Sequence, residues 1–237
     1  MTSKRFAVVA ALVLAFGMVF SVRETRAGAA KTQYPHMAPV DEYLMTDRNA
    51  EIALARSAAP ESISHGATVL VLGKRGYETA VQGKNSFDCV VERGWMSPSN
   101  SPEFWNPKLR GPICFNPPAV RSILPVTYKR TELALAGRTI NEIFEATKAA
   151  FGKGELPPLE PGSMSYMMSK EAYLTDNGDH NLAHLMFYTP DLDGAVWGTD
   201  LPKSPVMLNP QFKGAQPIDV FVVPVGKWSD GTAAPVM

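Results

Sequence analysis

Histidine and cysteine are scarce in this chain, with four and two among 237 residues. Two cysteines exclude a cysteine-rich zinc scaffold and a mini-domain held by several bridges. There is no excess charge of either sign, with 23 basic against 23 acidic residues. A general nucleic-acid binder needs a basic face to displace counterions, so this balance speaks against one. Internal repeats, low-complexity tracts and a second apolar run of membrane length are also missing. So are the common catalytic signatures: there is no Walker loop, no G-x-G-x-x-G and no S-x-x-K. Gly162-Ser163-Met164-Ser165-Tyr166 carries Tyr where a nucleophile elbow needs its last Gly. Asp191-Leu192-Asp193-Gly194 starts like a calcium loop, but Pro202 occupies the twelfth position, where a Glu is required.

What is present begins with an address. Lys4 and Arg5 precede an uncharged, largely apolar run from Phe6 to Val22, and a polar stretch then leads to Ala27-Gly28-Ala29. That order matches the three regions of a secretory signal peptide, with cleavage expected after Ala29. As a helix the run would span roughly 25 Å, short of a bilayer core of about 30 Å, which disfavours the alternative of an uncleaved anchor. No cysteine stands near the cleavage site to accept a lipid. Removing residues 1–29 takes away four basic residues and one acidic residue and leaves a net charge of −3. The expectation is a periplasmic or secreted protein, with one domain over residues 30–237 and no membrane span after cleavage. A hydrophobic fraction of 45% suits such a globular domain.

Export places Cys89 and Cys114 where pairing is the default, two buried free thiols being the alternative. A bridge closing about 26 residues corresponds to roughly 3.5 kcal/mol in the chain-entropy treatment. It would tie down a long Pro-, Ser- and Trp-rich loop over residues 94–118.

Pattern and punctuation place the remaining elements. A helix is predicted from Asp47 to about Ser57, with Ala50, Ala53, Leu54 and Ser57 as its packing stripe. Ala67–Leu72, Tyr77–Gln82 and Phe87–Glu92 read as a three-stranded meander, with Phe87, Cys89 and Val91 on one face opposite Asp88, Val90 and Glu92. A short helix over Val120–Leu124 precedes a longer one over Tyr128–Ala136, which Gly137 ends. Thr139 and Glu142 form a capping box opening a helix that Gly152 stops. Met164–Met168, Leu185–Tyr188 and Asp219–Val225 are further strands, the last weakened at Pro224. Strands and helices come in blocks, so the fold class is α+β, with a mainly antiparallel sheet and helices packed on it.

Two segments carry chemistry. In residues 176–184, His180 and His184 are four apart, a spacing that on a helix puts both imidazoles on one face to chelate a divalent ion, with Asp176 or Asp179 as an oxygen ligand. This pair would make a metal-dependent hydrolase, since a bound ion acidifies water for attack. The bland reading is a solvated loop and one hydrogen-bonded histidine at a strand entrance, with no cofactor. Met164, Met167, Met168 and Met186 add thioethers that with His184 would suit Cu(I), although Met also fills irregular cores. The second segment holds Arg93, Trp95 and Trp105. Exposed indoles stack on sugars or small apolar ligands, whereas buried ones anchor a loop. With Tyr188 on a neighbouring strand, this segment points to a binding domain for a small molecule or another envelope protein, which is the leading functional reading. Glu92, Glu103 and Asp219 are carboxylates that only the fold can bring together.

Glu51–Pro60 (EIALARSAAP), Gly76–Val81 (GYETAV), Phe87–Trp95 (FDCVVERGW) and His184–Pro190 (HLMFYTP) together resemble a group of uncharacterised exported bacterial proteins. The resemblance covers most of the mature chain. It implies export and a single domain and transfers no catalytic residue. Asn85-Ser86 stands where that group carries Asn-Gly. Expression with export should yield a chain beginning at Ala30, and intact mass reads this directly; a retained residue 1–29 segment would refute the cleavage.

Overall fold

The hydrophobic run Val69–Leu72 is buried on both faces of its strand, the second from one edge of the sheet. The computed structural model describes residues 34–177, 182–190, 193–199, 201–209 and 217–235. The signal segment and its cleavage site lie outside them, as do Asp179 and His180. Residues 32–237 group as one compact unit. No helix among the described residues is long and apolar enough to cross a membrane.

Among the described residues, eight strands form one mixed, mostly antiparallel sheet. They are β1 (Thr68–Gly73), β2 (Gly76–Val81), β3 (Asp88–Glu92), β4 (Gly111–Phe115), β5 (Met164–Met167), β6 (His184–Thr189), β7 (Met207–Leu208) and β8 (Asp219–Pro224). Their order is β2-β1-β3-β4-β5-β6-β8-β7. The α+β class therefore holds, but the expected meander does not. β3 pairs with β1, in parallel, and not with β2. The physical reason is burial: β1 is apolar on both faces and needs a neighbour on each side, while β2, with exposed Glu78 and Thr79, suits the edge. The segment leading into β3 turns through Ser86, whose φ of 62° lies in the region glycine favours.

Helices α1 (Val40–Tyr43), α2 (Arg48–Arg56) and α3 (Glu61–Ser64) precede the sheet, and α4 (Pro117–Ser122), α5 (Leu124–Leu135) and α6 (Ile140–Gly152) follow β4. Asp47 caps α2 by accepting from the amides of Asn49 and Ala50. Thr139 and Glu142 form the reciprocal capping box of α6. α2 packs on one face of β1, β3 and β4, and its buried face is Glu51 and Ala55 rather than the Ala50–Ala53 stripe. α5 and α6 pack together over the opposite face.

Glu51 is buried because Arg93, at the end of β3, meets it. Arg93 Nη2 donates to Glu51 Oε1 at 2.8 Å, with both side chains out of solvent. Arg93 Nε donates to the Tyr43 carbonyl at 2.8 Å, and its Nη1 to the Val91 carbonyl. The Leu72 amide donates to the same Glu51 oxygen at 3.2 Å.

The bridge between Cys89 and Cys114 is present. Its setting differs from a pinned loop. Residues 111–115 form the fully buried strand β4, so the two cysteines are directly opposed partners in an antiparallel ladder, 4.0 Å apart at Cα. The connection over 93–110 is held by other means. Trp95 Nε1 donates to Thr131 Oγ1 at 2.9 Å, Tyr43 Oη donates to the Trp105 carbonyl at 2.9 Å, and a Cβ on Gly94 would lie 2.4 Å from the Glu103 carbonyl oxygen. Replacing Glu51 by Ala leaves the buried Arg93 charge uncompensated and should cost about 3–5 kcal/mol in chemical denaturation. A loss below about 1 kcal/mol would show that water reaches Arg93.

Candidate functional site: a cavity between the sheet and α5

Strand alternation delivers every second residue of the central strands to the face under α5. Glu92, Gly111, Ile113, Met167, His184, Met186, Tyr188, Val220 and Val222 share it. From above, Ile123, Val126, Thr127 and Arg130 project at i, i+3, i+4 and i+7, which is one helix face. Between the two layers lies a cavity of about 270 Å³, rimmed by Met96, Ser97 and Pro98. Gly111 contributes to the space: a Cβ there would touch Met167 Cε and Leu174 Cδ2 at 3.6 Å and Glu92 Cβ at 3.8 Å. The walls are mainly apolar.

Few polar groups interrupt them. Glu92 accepts from Thr127 Oγ1 at 2.8 Å. Burial pushes its carboxyl up to about 7, although the Thr127 hydrogen bond and the Arg130 charge pull the other way. Arg130 is buried on α5, with Nη2 donating to the Ser97 carbonyl at 2.6 Å and Nη1 to the Met96 carbonyl at 3.3 Å. Its guanidinium carbon lies 4.5 Å from the Phe144 ring centre and 5.8 Å from that of Phe104. Burial lowers it to about 10, with Glu92 opposing. Its Nε has no hydrogen-bond partner among the described residues.

His184 Nδ1 is 2.6 Å from the Leu182 carbonyl oxygen. A carbonyl only accepts, so Nδ1 carries the proton and Nε2 the lone pair. Burial holds this imidazole below its ordinary value. Tyr188 and Ser165 share a hydroxyl–hydroxyl bond of 2.9 Å, and burial raises the phenol.

Of the residues singled out from sequence, Glu92, Arg93, Met167, His184, Met186 and Tyr188 line this cavity. Trp95 and Trp105 do not. They are 0% and 4% exposed, packed respectively against Tyr43 (ring centres 5.0 Å apart) and edge-on to Phe104 (4.7 Å). Their role in the structure is to anchor the loop. The methionine set divides by strand parity, with Met167 and Met186 on the cavity wall beside His184 and Met168 on the α2 side, its amide bonded to the Ala58 carbonyl.

Asp176 is already engaged: it accepts from the hydroxyls of Tyr173 and Tyr34 and from Asn106, near Lys108, and these partners hold its carboxyl down to about 2. No group of three His, Cys, Asp or Glu side chains that could hold a metal comes together among the described residues. Glu103 pairs with Asn106 and Thr175 in the Asp176 cluster. Sequence reading overlooked Arg130 and Thr127, although two polar residues on an otherwise apolar helix face at cavity spacing are the signal that marks them.

The chain matches no family model, no curated protein and no solved structure.

The raised Glu92 carboxyl makes the folded state bind a proton more tightly than the unfolded chain between about 4.5 and about 7. Its contribution to stability is therefore largest in acid and falls as pH rises through that window. Glu92→Gln should flatten this limb in a denaturation series, and an unchanged slope would assign the proton elsewhere.

Proposed function

We propose that this protein is an extracytoplasmic binding protein for a small, mainly apolar ligand held in the cavity between the sheet and α5. The observation that carries the reading is the cavity itself: mainly apolar walls built from alternate strand residues and one helix face, with a few polar groups converging from separate elements. That combination is the usual form of a small-molecule site. At about 270 Å³ it suits a ligand of modest size. The flexible thioethers of Met96, Met167 and Met186 in its lining allow the wall to adapt to shape. The buried Cys89–Cys114 bridge supports a location outside the reducing cytosol, in keeping with the secretory pattern of residues 1–29.

A fluorescent apolar probe, 1-anilinonaphthalene-8-sulfonate, tests this. The folded protein should bind it saturably. Val222→Trp fills the cavity from β8 and should weaken binding by at least about tenfold, or about 1.4 kcal/mol. Equal binding by this variant would remove the cavity as the site.

A further inference from the structure

The polar end of the cavity has an unusual charge balance. Arg93 and Arg130 are among the residues that line the cavity, and of the two only Arg93 makes an ion-pair contact with a carboxylate among the described residues. Arg93 is neutralised by Glu51 through a 2.8 Å contact. For Arg130 the opposing charge among the described residues is Glu92, which sits in apolar surroundings that favour its neutral form. Arg130 also has donors to spare. A guanidinium carries five N–H groups, and the Met96 and Ser97 carbonyls use two of Arg130's. The stacked Phe144 ring keeps the group in place.

Apart from Arg130, the groups facing Glu92 carry no charge that compensates it. These are Thr127 from α5 and, from the sheet, Tyr77 and Tyr188, both phenols being raised by burial. Arg93, next along the chain, is engaged by Glu51. His184, on β6, keeps its proton on Nδ1 and faces the cavity from three strands away, roughly 14 Å at about 4.8 Å per strand.

Resting on the ligand-binding reading above, we propose that the cavity takes an apolar-bodied carboxylic acid as its anion, with the carboxylate between Arg130 and Glu92 and the body running under α5 toward Met186 and His184. When Glu92 is protonated, its O–H donates to the ligand carboxylate, its other oxygen keeps the Thr127 bond, and Arg130 supplies the charge. When Glu92 is ionised it compensates Arg130 itself and repels the incoming anion. Binding of the anion is therefore coupled to uptake of one proton by Glu92, and the site loads in mild acid and releases as pH rises. An amine ligand is disfavoured by the same arrangement, because Arg130 repels it whichever form Glu92 takes.

Three matched probes separate this inference from the broader reading: octanoate, octanol and octylamine, each titrated calorimetrically into the mature protein at about pH 6 and about pH 8.5, where octanoate stays ionised. Octanoate should bind more tightly than either analogue at the lower pH and weaken by about tenfold at the higher one. Titration in two buffers of different ionisation enthalpy should show net proton uptake. Glu92→Gln should bind octanoate with the same affinity at both pH values, and Arg130→Met should lose octanoate while keeping octanol. The buffer comparison uses the unaltered protein, so it decides the coupling even where a variant fails to fold. Preference for octanol, preference for octylamine, or octanoate binding without proton uptake overturns the inference and leaves the cavity reading standing. Failure of all three probes and of the anilinonaphthalene dye overturns both.

Discussion

The buried contact between Arg93 and Glu51 is the constraint from which much of the architecture follows. One guanidinium holds the last turn of α1 through Tyr43, α2 through Glu51 and β3 through Val91, while Glu51 also accepts from the amide of Leu72 in β1. Two charges removed from water gain little net stability by attracting each other, but a single one left behind is costly. The pair therefore acts as a geometric condition: α2 cannot dock on the sheet without bringing Glu51 to the end of β3. The segment after Arg93 then enters the loop that carries Trp95, Met96 and Ser97 back against α5.

The two faces of the sheet are built differently. On the α2 side lie Val69, Cys89, Val91 and Cys114, packed on Ala55 and Ala58 and closed by the bridge. On the α5 side the same strands present Val90, Glu92, Ile113 and Phe115, and toward β6 and β8 the packing opens into a cavity. Alternation along β3 places Cys89 and Glu92 on opposite sides, three residues apart. The fold departs from apolar packing where Glu92, bonded to Thr127, and Arg130 line one cavity under α5. A polar cluster of that kind marks a binding site more often than it stabilises a core.

Much of the local structure was legible in the residues. Thr139 and Glu142 announced the start of α6, strand parity put Cys89 with Val91 and Phe87, and Gly137, with φ of 73°, ends α5. β4 was not legible. Gly111 and Pro112 argue against a strand, and Pro112 is tolerated because the β4–β5 ladder pairs only Cys114 and Phe115. The buried face of α2 was also misread, since a glutamate looks solvent-facing until a partner 42 residues away is known.

The site shows the same division. Arg93, His184 and Tyr188 could be named from sequence, while Thr127 and Arg130 acquire meaning only from what α5 covers. The amino-acid sequence by itself determined helix caps, turn positions, which side of each strand a residue occupies and which two cysteines would pair. These depend on spacings of a few residues or on there being only one pairing available. Strand order, the parallel β1–β3 contact, the Arg93–Glu51 pair and the gathering of Glu92, Arg130 and His184 around one cavity were decided by tertiary structure alone. Each joins segments far apart in the chain, and the free energy that selects them is burial and charge compensation summed over the whole fold, which no short stretch of sequence contains.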